Sequence, residues 1–177
     1  MITKSKTRKM GKVKGAFFDN LSIIFELAIS LRVSFIKAKY LFPMTAQKLN
    51  DATEEDKERI DLLIHRFGKV QDMLGSKIFR GIITLDLEDA GSMKDTINKM
   101  EKKYVIENAE DWVDIRDTRN NIIHEYVPRG AEAANTLNEV YELTSELIKI
   151  VCNVRNYAEK EFNMDMSKFD IEKLKVN

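Results

Sequence analysis

The sequence predicts an all-α fold, a bundle of four or five helices. Only two prolines and seven glycines interrupt its 177 residues, and this scarcity of helix-breaking residues favours long helices over a many-stranded sheet. Apolar residues recur three and four positions apart along several segments, which is the spacing of one helix face. Hydrophobic residues make up 44% and charged residues 33% of the chain, a composition typical of a globular domain.

Two helices are predicted in the first half of the chain. The first covers residues 18–42, where apolar residues from Leu21 to Ala38 share one face, and it ends before Pro43. The second begins after Thr53, a residue type that caps helix N-termini, and it continues to about Phe79.

Three more helices are predicted in the second half. Residues 81–91 show no periodicity and are expected to form a linker. A short helix begins at Ser92, and a longer one begins after Asn108 and ends before Pro128. The last helix covers residues 131–162. Its apolar positions span so wide an arc that we expect it to be central in the bundle or shared with a second subunit.

The ends of the chain are predicted to be tails on a single helical domain of residues 16–163. Residues 1–15 hold six basic residues and no acid, which predicts a basic, flexible tail. The other 162 residues hold 23 basic and 29 acidic residues, a net charge of −6, so any contact with nucleic acid must be local. Residues 164–177 are predicted to be a loosely held polar tail. The six basic residues are Lys4, Lys6, Arg8, Lys9, Lys12 and Lys14.

The sequence predicts a cytoplasmic protein without a metal or cofactor. The single cysteine, Cys152, excludes an intramolecular disulfide and a multi-cysteine zinc site, and it fits a reducing compartment. Two histidines, His65 and His124, leave little material for a metal centre. Charged residues interrupt the segment after the basic start, and no segment approaches the roughly 20 apolar residues of a membrane-spanning helix.

Arg119 is the first candidate functional residue. On the fourth predicted helix Trp112, Ile115 and Ile122 fall within an arc of about 100°, and Arg119 projects from the middle of that arc. A guanidinium keeps its proton, so among apolar neighbours it is either paired with an acid or available to an anion. A salt bridge to Asp114, to Asp117 or to a distant acid is the structural alternative.

His124 is the second candidate functional residue, but it does not lie on the same face of the helix as Arg119. It lies about 140° around the helix from Arg119, beside Asn120 and Asp117. The two side chains could converge where the helix ends near Pro128, or across a symmetry axis that joins two copies of the helix. A histidine near a helix C-terminus can also simply favour the negative end of the helix dipole.

These residues form a pattern, R-x4-H-x-Y, made by Arg119, Asn120, His124 and Tyr126. The pattern follows an acidic helix start and precedes a breaker and a long final helix. This arrangement resembles the HEPN superfamily, and within it the HepT-like toxins that are paired with minimal nucleotidyltransferases. The second helix is similar to the corresponding stretch of one HepT-like subgroup, and the resemblance covers roughly residues 17–162. The similar positions there are Arg66, Phe67, Lys69, Gln71, Asp72 and Gly75.

The resemblance implies a HEPN-type up-and-down bundle and a metal-independent endoribonuclease that acts as a homodimer, with both R-x4-H motifs facing one cleft. Arg119 would bind the scissile phosphate, His124 would act as general acid or base, and Asn120 would position the RNA or the histidine. The residue types suit this chemistry, because imidazole exchanges a proton near neutral pH. A guanidinium offers paired donors to a phosphate whose charge grows in the transition state. The product would carry a 2′,3′-cyclic phosphate.

The resemblance also implies how the activity is controlled. In the family the tyrosine of H-x-Y receives AMP from the partner nucleotidyltransferase antitoxin, and Tyr126 occupies that position here. The added phosphate would oppose an RNA phosphate at the same place. The structural alternative for Tyr126 is a core aromatic residue with its hydroxyl at the bundle edge.

Several other residues have both a functional and a structural interpretation. Arg66, Lys69, Gln71 and Asp72 either line the same cleft or form a salt-bridged face of the second helix. Arg116 is a further cleft candidate, and His65 is expected to be a rim histidine. Two other functions remain open at this point. One is a non-catalytic HEPN partner that binds nucleotide or substrate for a nucleotidyltransferase, and the other is a helical interaction module without a site.

Overall fold

In the computed structural model, the described backbone covers residues 2–124 and 130–176, and the described side chains cover residues 8, 10–122 and 130–176. Every regular element in these ranges is helical, which confirms the all-α fold class. A π-helical turn, Leu74–Ile78, joins α3 directly to α4, and short 3-10 turns lie at Lys39–Leu41 and Ile171–Leu174. The α-helices are α1 (Ile2–Ala38), α2 (Ala46–Asn50), α3 (Glu54–Met73), α4 (Phe79–Leu85), α5 (Met93–Lys102), α6 (Ala109–His124) and α7 (Ala131–Phe162).

Local sequence signals start three of these helices where they were expected. The Thr53 hydroxyl accepts a hydrogen bond from the Asp56 backbone amide, and the Asp56 carboxylate accepts one from the Thr53 amide. Ser92 makes the same reciprocal pair at the start of α5. The Asn108 side chain accepts from the backbone amide three residues on, at 2.8 Å, at the start of α6. Each cap satisfies backbone donors that have no partner inside the helix.

The long helices pack in antiparallel pairs around α7. Phe35 stacks on Tyr141, and Phe17 meets Phe162 edge to face at the other end of the same pair, so α1 and α7 run in opposite directions. α7 contacts α1, α2, α3 and α6, and its buried residues lie on several sides of the helix. The wide apolar arc of α7 is therefore explained by a central position in the bundle.

Trp112 anchors α6 in the core. Its ring lies edge-on to Phe79 at a centroid distance of 4.6 Å, and both side chains are fully buried. A Cβ added at Gly75 would lie 3.3 Å from Trp112 Cζ2, so the absence of a side chain in the π-helical turn lets the indole approach closely. The indole Nε1 is buried and has no hydrogen-bond partner among the described residues.

The start of the chain differs from the prediction of a separate flexible tail over residues 1–15. α1 begins at Ile2, not near residue 18, and residues 2–15 are its first turns. Lys14 donates a hydrogen bond to the Phe162 carbonyl at the end of α7. A periodic apolar pattern reveals a helix only where one of its faces is buried, so it does not reveal these first turns, which bury few apolar residues. The Lys, Arg and Met residues in this segment nevertheless have high helix propensity.

The end of the chain is also better packed than predicted. Met164, Met166, Phe169 and Leu174 are buried, so the prediction of a loosely held tail over residues 164–177 is wrong for most of this segment. The Phe169 ring lies 5.6 Å from that of Phe18 and 5.3 Å from that of Phe25, which attaches the segment to α1. The apolar residues of this segment are few and follow no helical period, so the sequence does not indicate that they are buried. Their burial depends on contacts with α1, which is distant in the sequence.

The predicted linker at residues 81–91 is partly helical. The second predicted helix continues through the π-helical turn into α4, which ends at Leu85. No helix in the described ranges is long and apolar enough to cross a membrane.

We predict opposite effects for two glycine-to-alanine substitutions in these helices. A Cβ at Gly81 would lie 2.5 Å from Phe17 Cδ2, and the Phe17 ring is buried and held against Phe162. Overpacking of this kind costs about 1–3 kcal/mol, so Gly81→Ala should lower the free energy of unfolding in urea.

The matched control is Gly68→Ala, because a Cβ there would lie an ordinary 4.0 Å from its nearest neighbour, Arg119 Cγ. The gain in helix propensity should leave this variant equal to wild type or up to about 1 kcal/mol more stable. A Gly81→Ala variant as stable as Gly68→Ala would contradict the packing described for Phe17.

Candidate functional site

A groove of about 490 Å³ runs between α3 and α6. On the α3 side its lining residues are spaced three and four apart, so they form one face of that helix. Charged and polar side chains alternate there with Ile64 and Gly68, and α6 closes the other wall. The lining residues are Asp61, Ile64, His65, Gly68, Lys69, Asp72, Arg119 and Ile122.

Arg119 is fixed at the wall of this groove. Its Nη2 donates to Asp72 Oδ2 at 2.7 Å, and its Nη1 donates to Asn120 Oδ1 at 3.3 Å. The Nε atom is buried and has no partner among the described residues. Gly68 faces the aliphatic stem of Arg119 and leaves room for it. The aliphatic part of the Arg119 side chain thus lies between α6 and α3, and the terminal nitrogens of its guanidinium lie at the groove.

The ion pair with Asp72 is the distant-acid salt bridge that the sequence left open, but it is not buried. The side chain of Arg119 is 27% exposed and that of Asp72 is 54% exposed. Pairs this accessible to water contribute about 0–1 kcal/mol to stability. The two hydrogen bonds occupy only part of the guanidinium's donors, so an anion in the groove could bind the others.

Asn120 and Arg116 lie on α6 beside Arg119 but do not line the groove. Asn120 is half-buried, and its carbonyl oxygen accepts from Arg119, so it helps to orient the guanidinium. Arg116 is exposed, and its Nε lies 3.8 Å from Asp117 Oδ1.

Of the cleft candidates on α3, Lys69 and Asp72 line the groove, whereas Arg66 and Gln71 do not. Arg66 Nη1 donates to the Ser30 carbonyl at 2.9 Å and to Ser34 Oγ at 2.7 Å, so this side chain joins α3 to α1. Gln71 is buried and is not part of the groove lining. Arg66 therefore connects two helices, and neither Arg66 nor Gln71 lines the groove.

His124 is the last residue of α6, and its side chain lies outside the described residues. Tyr126, the predicted modification site, also lies outside the described residues. The described part of α6 places Arg119 at the groove little more than one turn before the end of the helix.

His65 is a groove residue that the sequence interpretation set aside. It is exposed and lines the groove together with Lys69 and Asp72. The spacing of Asp61, His65, Lys69 and Asp72 along α3 is a polar stripe at helical period, and it could have pointed to this surface. Adjacent apolar residues had suggested only a rim position.

The charged residues that line the groove nearly balance. Asp61 and Asp72 carry two negative charges, and Lys69 and Arg119 carry two positive charges. An anion in the groove would be attracted to Lys69 on α3 and to Arg119 on α6. Among the described residues, no group of three or more His, Cys, Asp and Glu side chains is arranged to hold a metal ion.

Comparison with known proteins found no matching family model, no matching curated protein and no matching solved structure.

We predict that Arg66 of α3 and Arg119 of α6 differ sharply in their importance for stability. Arg66→Ala removes two charge-assisted hydrogen bonds between α1 and α3, which should lower the free energy of unfolding by about 1.5–3 kcal/mol. Arg119→Ala removes an exposed pair and should change it by about 1 kcal/mol or less. Urea unfolding followed by far-ultraviolet circular dichroism measures both. A larger loss for Arg119 than for Arg66 would show that Arg119 is primarily a structural residue.

Proposed function

We propose that this chain is a metal-independent endoribonuclease toxin of the HepT-like type, and that the groove between α3 and α6 contributes to its RNA-binding site. The observation that carries the proposal is the placement of Arg119. Its terminal nitrogens lie at the groove wall beside His65 and Lys69, held by a solvent-accessible carboxylate rather than by a buried one. A fixed cation in an open groove is what a phosphodiester substrate requires.

The proposed reaction is transesterification within the RNA chain. A base takes the proton of a ribose 2′-hydroxyl, and the 2′-oxygen bonds to the adjacent phosphorus while the bond to the 5′-oxygen breaks. An acid protonates that leaving oxygen, so the products are a 2′,3′-cyclic phosphate and a free 5′-hydroxyl. Arg119 neutralises the charge that grows on the phosphoryl oxygens, and Asn120 holds its guanidinium.

The two proton transfers need groups that titrate near neutral pH. We assign one of them to His124 of the R-x4-H pattern. His65 is the imidazole that lines the groove with Arg119, and it is available for the other transfer. Lys69, on the next turn of α3, supplies a further positive charge for the RNA backbone.

The proposal includes a homodimer and a partner enzyme. His124 lies about 140° around α6 from Arg119, so a pair of α6 helices that face each other would bring the arginine of one copy and the histidine of the other to one cleft. A minimal nucleotidyltransferase would then silence the toxin by transferring AMP to Tyr126. The added phosphate would compete for the same cations.

A non-catalytic partner of a nucleotidyltransferase is the second candidate function. Two observations favour it: Asp72 already binds one edge of the guanidinium, and the chain outside residues 1–15 has a net charge of −6. Both features weaken general RNA binding. Such a protein would bind a nucleotide in the groove and leave RNA intact.

We predict that the purified protein cleaves RNA in the presence of EDTA. His124→Ala should lower the rate about 10²–10⁴-fold because a proton-transfer group is lost. Arg119→Ala should lower it about 10²–10³-fold because charge on the transition state is left unpaired. Gel separation of products, with chromatographic detection of the cyclic phosphate, measures both.

Arg116→Ala is the matched control, since this arginine is exposed on the same helix but outside the groove lining. It should cleave like wild type. Cleavage by His124→Ala at the wild-type rate would remove the catalytic assignment. Intact RNA with every protein, together with binding of nucleotide that Arg119→Ala abolishes, would support the non-catalytic alternative.

We also predict that a cognate nucleotidyltransferase, incubated with ATP, adds AMP to the wild-type chain and not to Tyr126→Phe. Intact-protein mass spectrometry measures the modification, and the modified protein should lose its ribonuclease activity. Tyr126→Phe should remain active in the presence of the transferase. Equal modification of both proteins would place the acceptor elsewhere.

A further inference from the structure

The N-terminal turns of α1 carry a concentration of charge that the groove does not use. We name residues 2–15 the basic arm. Six basic residues and no acid lie within residues 1–15, against a net charge of −6 for the rest of the chain. Arg8 and Lys12 are exposed, and neither forms an ion pair with any described residue. Among the described side chains of the arm, Arg8 and Lys12 are therefore cations without a carboxylate partner, while Lys14 is bound to the Phe162 carbonyl.

The two sides of the arm differ in chemistry. Arg8, Gly11, Lys12 and Gly15 fall within an arc of about 100° on the helix, and all four are exposed. A Cβ added at either glycine would meet nothing within 4 Å, so this side offers cations with open space between them. A flexible, extended polyanion could approach the helix backbone closely here.

The opposite side of the arm faces the protein. Met10, Val13 and Phe17 lie about 140–200° from Arg8 around the helix; Met10 and Val13 are half-buried and Phe17 is buried. The apolar side of the described part of the arm is therefore partly shielded from solvent. An interfacial membrane helix needs a free apolar face opposite its cations, and Met10, Val13 and Phe17 do not form a fully exposed one.

The arm is firmly attached at its base. Lys14 donates to the Phe162 carbonyl at 2.5 Å, and Phe17 packs on the Phe162 ring at 5.8 Å. Because α1 and α7 are antiparallel, the helix from Lys14 back to Ile2 continues past the end of α7 by about 18 Å.

We propose that the basic arm binds the phosphate backbone of RNA as a second contact, separate from the groove. Arg66, beside the groove residues of α3, lies against Ser30 and Ser34 of α1, which places Arg8 about 35 Å away along the helix axis. A substrate that reaches both surfaces must be much longer than a dinucleotide. The choice of RNA among polyanions rests on the proposed function, but the binding itself does not depend on catalysis.

The test measures the affinity of the full chain for a fluorescent single-stranded RNA of about 20 nucleotides over a series of salt concentrations. All proteins carry His124→Ala so that the RNA stays intact. In the arm variant Lys4, Lys6, Arg8, Lys9 and Lys12 are changed to Gln, while Lys14 is kept because it binds Phe162. In the control variant five exposed lysines of the body are changed to Gln, which removes the same charge: Lys77, Lys94, Lys102, Lys160 and Lys173.

We expect the arm variant to bind RNA more weakly and the control to bind like the parent. The slope of log affinity against log salt should fall by about 0.7 for each arm cation that contacts phosphate. Circular dichroism should show the same folded bundle for all three proteins. Equal affinity and equal slope for the arm and control variants would overturn the proposal. Arm-dependent binding to phosphatidylserine vesicles without arm-dependent binding to RNA would also overturn it.

The result of this RNA-binding experiment can be distinguished from the result of the cleavage experiment. Arm-dependent RNA binding by a chain that never cleaves RNA would refute the ribonuclease and keep the arm as an RNA contact. Cleavage that continues with an arm variant of unchanged RNA affinity would keep the ribonuclease and refute the arm.

Discussion

The candidate site depends on the close antiparallel contact between α3 and α6. Two glycines seven residues apart, Gly68 on α3 and Gly75 in the π-helical turn that follows it, face two large side chains seven residues apart on α6: Gly75 faces Trp112, and Gly68 faces Arg119. Burial of the indole against Phe79 and Gly75 fixes the first of these contacts deep in the core. Because a helix is stiff over two turns, the same packing sets the position of Arg119 opposite Asp72 at the surface. Buried packing at one end of the helix pair thus positions a charge at the other.

Within a short stretch of α3, some polar residues stabilise the packing of helices and others line the groove. Arg66 points to α1 and makes two hydrogen bonds that hold helices together, whereas Lys69 and Asp72, one and two turns further along, reach the groove. The helix period assigns neighbouring polar residues to different faces, so residues of the same type have different tasks. Arg119 contributes to both. The aliphatic part of its side chain packs between helices, while its ion pair with Asp72 is accessible to water, so another anion could replace Asp72 at little cost.

Charge is distributed unevenly over the molecule. The groove brings together nearly balanced charges, the body is acidic, and the arm at the start of α1 is wholly basic. A polyanion would meet repulsion from the acidic body and attraction at the basic arm.

The sequence by itself determined the all-α class, the caps at Thr53, Ser92 and Asn108, the wide apolar arc of α7, and a cation on an apolar arc at Arg119. These features follow from contacts within a few residues along the chain, which periodicity and side-chain chemistry report directly. Only the tertiary structure decided that Asp72 pairs with Arg119, that His65 and Lys69 share its groove while Arg66 does not, and that residues 164–174 pack on α1. The physical reason is that a helical pattern reveals which face is buried but not which helix covers it, and a partner 47 residues away is chosen by the packing of whole helices.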